Sequence, residues 1–362
     1  MASLFDPLTL GALELPNRIA MAPLTRARAG KEAVPNELMA AYYAQRASAG
    51  LIISEATGIS REGLGWPGAP GLWNHAQIDG WKLVTDAVHH NGGRIVAQLW
   101  HMGRLVHPDL GGGQPLSASA TTAPDFAHTY EGKKPYVVAR SATFEDIWRI
   151  IADYARAARN AIAAGFDGVQ IHGANGYLVD QFLRNGANFR TDQYGSSIEN
   201  RLRFMTEVLQ AVGDEIGMER VGIRFSPNIL VQGIDDCDPL TLFNAVAEKL
   251  EELRVPWIEL REAHQPTSAG TIPTEPVSPS MRQLYSGKIL LNSDYDGPSS
   301  RERMAEGIAD GISFGRPFIS NPDLVHRLAT GAPLAAGDVS TFYSGGAVGY
   351  VDYPSLAEAK AA

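Results

Sequence analysis

Eight short β-branched runs alternate with longer helical patterns along the 362 residues, and this rhythm predicts an α/β fold, a (β/α)8 TIM barrel. Two further observations agree with it. The runs are continuous apolar stretches, as expected of strands buried on both faces. Polar residues gather just past the ends of the runs, where a barrel carries its working side chains. A doubly wound open sheet is the alternative, and a count of eight units favours the barrel.

In chain order the strands fall at 18–21 (RIAM), 51–54 (LIIS), 94–99 (RIVAQL), 168–171 (GVQI), 221–225 (VGIRF), 257–260 (WIEL), 288–291 (KILL) and 311–314 (GISF). Helices at 36–49, 76–91, 144–164, 200–212, 239–253, 300–309 and 322–330 fill most of the gaps. The stretch 144–164 repeats apolar residues at i, i+3, i+4 and i+7, the signature of one buried helical face. The helix at 239–253 opens on Pro239, with Asp238 placed to cap it. Residues 63–72 (GLGWPGAPGL) are loop-like. So is the excursion after strand 3 at 108–135, whose 28 residues hold four prolines; a loop that long marks function or mobility. The whole of 1–362 is expected to form a single domain, since α/β barrels run long.

Composition removes several function classes. A net charge of −9 argues against nucleic acid or an anionic membrane as the main partner. A lone cysteine, Cys237, forbids an intrachain disulfide and points to a reducing compartment. The N-terminus lacks signal-peptide features and no apolar run is long enough to span a bilayer, so a cytoplasmic protein is expected. GLGWPG at 63–68 fits the G-x-G-x-x-G pattern in form only. It neither follows a strand directly nor opens a helix, and it contains Pro67. His101, His107 and His172 lack the HExxH, paired-acid or cysteine patterns of a metal site, so no metal is expected. No G-x-S-x-G elbow is present.

The strand ends carry the chemistry. Strand 1 runs into Ala22-Pro23-Leu24-Thr25-Arg26, strand 2 into Glu55-Ala56-Thr57, and strand 3 into Gln98-Leu99-Trp100-His101. Strand 4 ends at His172, with Asn175 and Tyr177 following. Arg224 lies inside strand 5, where a guanidinium is expensive unless paired. It is either half of a buried ion pair with Glu55 or Glu259, or a fixed positive charge at the barrel mouth. Gly315-Arg316 opens the segment after strand 8, where barrels often hold phosphate; a surface arginine is the alternative.

The chain resembles the Old Yellow Enzyme family of flavin-dependent ene-reductases. The likeness runs from LFDPLTLGALELPNRIAMAPLTR (4–26) through AQLWHMGR (97–104), GFDGVQIHGANGYLVDQFL (165–183) and YGSSIENRLRF (194–204) to TFYSGGAVGYVDYP (341–354). It implies one barrel, closed below by an N-terminal hairpin at 9–17, with non-covalent FMN at the mouth. It implies reduction by NADPH or NADH, followed by hydride transfer to the β carbon of an alkene activated by a carbonyl or nitro group.

By the same resemblance, Arg224, Gln98, Thr25, Pro23, Leu24 and Ala56 would hold the flavin ring, and Ser293, Asp294, Gly315 and Arg316 its phosphate end. His172 and Asn175 would hold the substrate oxygen, Tyr177 would protonate the α carbon, and Trp100 and Tyr343 would line the pocket. The protein would be a monomer or weak homodimer.

Three departures from the family pattern carry expectations of their own. Asp294 must turn away from a phosphate, Ser196 must take a backbone shape that glycine usually takes, and the proline-rich 262–287 should border the pocket.

Overall fold

Eight parallel strands close into a ring: β1 (Ile19–Met21), β2 (Leu51–Ile53), β3 (Ile95–Trp100), β4 (Gly168–His172), β5 (Val221–Phe225), β6 (Trp257–Arg261), β7 (Lys288–Asn292) and β8 (Gly311–Phe314). Each pairs in parallel with the next, and β8 returns to β1. The structure is a computed structural model that describes residues 3–262 and 275–361.

An outer helix follows each strand: α1 (Glu37–Ala44), α2 (His75–His90), α3 (Phe144–Ala163), α4 (Ile198–Ile216), α5 (Pro239–Glu252), α6 (Ser278–Leu284), α7 (Gly297–Ala305) and α8 (Leu324–Thr330), with shorter extra helices after the fourth and eighth strands. Six of them start on a side chain that accepts the free N–H three residues on: Asn36, Asn74, Thr143, Ser197, Asp238 and Asp296.

Four helices among the described residues differ from the sequence pattern, one of them Leu356–Ala361 near the end of the chain. Leu178–Leu183 is buried at every position, so it has no polar face to reveal it. Arg316–Ser320 is only five residues long. Helix α6 carries Pro279 in its first turn, where the missing N–H is tolerated. Of the 262–287 stretch, residues 263–274 lie outside the described residues. The 108–135 excursion is also more ordered than a bare loop. Phe126–Thr129 pairs antiparallel with Gly132–Pro135, and Leu116–Ser117 pairs with Arg140–Ser141. Strands this short leave too little alternation to read.

The bottom of the ring is sealed by the hairpin Leu8–Leu10 and Leu13–Leu15. Its four leucines pack with Ala20, Leu51, Ile53, Val96, Trp257 and Leu290. Full burial of a leucine stabilises by roughly 1.5–3 kcal/mol, so this plug adds to the stability of the closed ring from below. Gly222 makes room for it: a Cβ there would lie 2.2 Å from the Trp257 ring.

Candidate active site

Above the plug, the inward side chains turn polar and join laterally. The register sets Gln98 beside Gln170, His172 beside Arg224, Arg224 beside Glu259, Arg261 beside Asn292, and Asn292 beside Ser313. Gln98 Nε2 donates to Gln170 Oε1 at 2.7 Å, and Gln170 Nε2 donates to Glu259 Oε2 at 2.9 Å. Arg224 Nη2 donates to Asn292 Oδ1 at 2.8 Å, and Asn292 Nδ2 donates to the Ser313 carbonyl at 2.8 Å.

Arg224 Nε stands 3.1 Å from Glu259 Oε2, yet without the alignment of a hydrogen bond. Of its two candidate partners, Glu259 is therefore the real one. Glu55 is buried elsewhere, accepting the backbone N–H groups of Arg26 and Ala27 at 3.1 and 3.0 Å. Burial raises its pKa.

The end of β4 presents three polar groups. His172 Nδ1 accepts the Ala174 backbone N–H at 3.3 Å. Burial, then the charges of Arg224 and Arg261, hold its pKa well below the ordinary histidine value. A neutral ring that accepts at Nδ1 carries its proton on Nε2, and so is a donor there. Asn175 has φ +57° and its Oδ1 accepts from Arg261 Nη1 at 2.7 Å. Tyr177 is pushed up by burial, so its phenol keeps its proton at neutral pH. The His172 and Tyr177 rings meet edge-on at 4.7 Å, and Trp100 meets Tyr177 edge-on at 5.0 Å.

A cavity of about 750 Å³ opens at this mouth. Of the residues singled out from sequence, Pro23, Leu24, Thr25, Asn175, Tyr177, Arg224, Ser293, Asp294, Gly315, Arg316 and Tyr343 line it. Ala56, Gln98, Trp100 and His172 are buried and do not belong to that lining. The Asp294 carboxylate lies 4.0 Å from the Arg316 guanidinium, so it faces a cation also assigned to the phosphate end. Ser196 has φ +68°, the shape glycine usually takes, and its hydroxyl donates to the Arg190 carbonyl.

The sequence reading missed Trp66, Gln232 and Arg261, all of which line the cavity. Trp66 sits in the rejected GLGWPG loop, 5.5 Å from the Tyr343 ring and 4.5 Å from His128. Arg261 was one residue beyond the predicted end of strand 6; extending the i, i+2 face from Glu259 would have found it. Arg26 is turned away into a clasp, donating to the carbonyls of Phe342 and Gly349 at 2.8 Å each. That clasp fixes the segment bearing Tyr343.

With Arg26 clasped away, Arg224, Arg261 and Arg316 and a single carboxylate, Asp294, face the cavity of a chain whose net charge is −9. Such a local excess of positive charge fits an anionic cofactor, and a cavity this size admits a flat ring. Fold and site thus define a barrel whose mouth suits an anionic cofactor with a flat ring. The model of the NADH:flavin oxidoreductase / NADH oxidase family matches residues 3–335, and the chain belongs to that family, of the Old Yellow Enzyme type.

The old yellow enzyme homologue from Zymomonas mobilis superposes with a TM-score of 0.96 at 50% identity, covering 98% of this chain and 99% of that one. Morphinone reductase in complex with tetrahydroNAD gives 0.92 at 44% identity, with 98% of each chain covered. The flavin oxidoreductase hxnT of Emericella nidulans is 43% identical over 382 residues, which is 97% of each chain.

Proposed function

We propose that the chain, acting as one FMN-binding domain over 1–362, is an ene-reductase driven by NADPH or NADH. The observation that carries this reading is the end of β4: a fixed Nε2–H donor, an amide and a protonated phenol, beside an arginine-lined cavity. FMN, when bound, supplies hydride transfer from the reduced nicotinamide to the β carbon of an α,β-unsaturated carbonyl or nitro alkene. The complex of morphinone reductase with tetrahydroNAD supports a nicotinamide dinucleotide as the reductant.

The chain's own residues then divide the work. Arg224, Gln98, Thr25, Pro23, Leu24 and Ala56 hold the ring, and the Arg224 cation favours the extra negative charge of its reduced form. Ser293, Gly315 and Arg316 take the phosphate end, with Asp294 drawn toward Arg316. His172 and Asn175 donate to the substrate oxygen as enolate charge develops there. Tyr177 Oη delivers its proton to the α carbon as a general acid. Tyr343 forms part of the pocket wall, and Trp100 backs it from behind through its edge-on contact with Tyr177.

A half-reaction survey tests this. Anaerobic protein loaded with FMN is expected to bleach with NADPH or NADH and to recover its colour with 2-cyclohexenone. Protein that takes up no FMN overturns the reading. Protein that bleaches without recovering on any activated alkene is a flavin-binding sensor instead.

A further inference from the structure

Asn175 is held from two sides. Its backbone N–H donates to Ser226 Oγ at 2.7 Å, and its Oδ1 accepts from Arg261 Nη1 at 2.7 Å. A guanidinium has donors only, so the amide must turn its oxygen toward Arg261. The Nδ2 group is then the side-chain face left for whatever enters the cavity, which both residues line. An amide without that restraint offers oxygen or nitrogen with little preference, and an oxygen facing a developing enolate repels it.

The strand geometry places Arg261 for this task. It is the last residue of β6, two positions beyond Glu259 on the same face, and its register partner is Asn292. Burial, then the nearby Arg224 charge, draws its pKa down to about 10, so it remains a cation at neutral pH. A cation on the amide oxygen also polarises the group and strengthens Nδ2–H as a donor.

We propose that Arg261 is a positioning residue: it locks the Asn175 carboxamide with nitrogen toward the substrate oxygen. This rests on the ene-reductase reading above for its catalytic consequence, though not for its geometry.

In the FMN-loaded enzyme, Arg261→Leu is expected to lower kcat/KM for 2-cyclohexenone, measured per bound flavin, about 10-fold. In an Asn175→Ala background the same change is expected to cost nothing further, because the residue it acts through is gone. Arg261→Lys, which keeps a cationic donor of similar reach, is expected to recover part of the loss. Equal losses in both backgrounds overturn the proposal.

A second readout does not depend on turnover. The Asn175 side-chain amide signals in a proton–nitrogen correlation spectrum, assigned by their loss in Asn175→Ala, are expected to shift in Arg261→Leu. Unshifted signals overturn the proposal even if cyclohexenone is not a substrate, whereas shifted signals with no wild-type turnover refute only the ene-reductase reading.

Discussion

The lower and upper halves of the barrel interior are built on the same strands, two residues apart. Below lie Val96, Trp257 and Leu290, packed on the hairpin leucines. Two positions up the same strands stand Gln98, Glu259 and Asn292, joined to Gln170, Arg224 and Ser313. Residues at i and i+2 share a face of a strand, so one step of that period carries the interior from hydrocarbon to amides and charges.

The two layers do different jobs. Burial of the apolar layer stabilises the fold. The polar layer roughly breaks even, because each buried hydrogen bond contributes only about 0.5–1.5 kcal/mol net while an unmet partner costs about 1–3 kcal/mol. The upper layer is thus kept for what it holds in place. Mutations should separate the halves cleanly, those below moving stability and those above moving chemistry.

The strongest challenge to that separation is Tyr177→Phe. It is expected to slow reoxidation by 2-cyclohexenone by about 10²–10⁴-fold while flavin reduction by NADPH stays near wild type, as stopped-flow traces would show. Equal slowing of both half-reactions would remove Tyr177 as the acid. Next is Trp257→Ala in the plug, expected to lower unfolding free energy by about 3–5 kcal/mol in urea titration. The surviving folded fraction should keep its half-reaction rates; a change in those rates would show that the layers are coupled.

The double change His172→Ala with Asn175→Ala is expected to weaken enone and nicotinamide binding together, each by about 10–100-fold. Loss of one ligand alone would mean that the two do not share the site. The smallest expected effect is that of pH. His172 is held well below the ordinary histidine value and Tyr177 above the ordinary phenol value. A base with a lowered pKa charges only at acid pH and an acid with a raised pKa only at alkaline pH. The acceptor half-reaction should therefore be flat between about pH 6 and 9. A titration near the ordinary histidine value would show that His172 is not shielded as the structure has it.

Much of this was legible in the sequence. All eight barrel strands lie within a residue or so of the runs that announced them, because a strand buried on both faces must be continuously apolar. His172, Asn175 and Tyr177 stood out for their position at a strand end. Leu178–Leu183 was invisible because burial on all sides erases the helical period. Trp66 was hidden in a Pro/Gly loop, where nothing local tells a side chain which cavity it will reach.

What the amino-acid order determined by itself is therefore periodic and local: strand, helix, cap, and the depth at which each strand turns polar. The tertiary structure alone decided who meets whom. Arg224 could have paired with Glu55 or Glu259, and the parallel register of β5 on β6 chose Glu259. Arg261 and Asn175 stand 86 residues apart in the chain. They meet because strands that follow one another around a closed ring deliver their ends to one rim, and a ring closes only when all eight are in place.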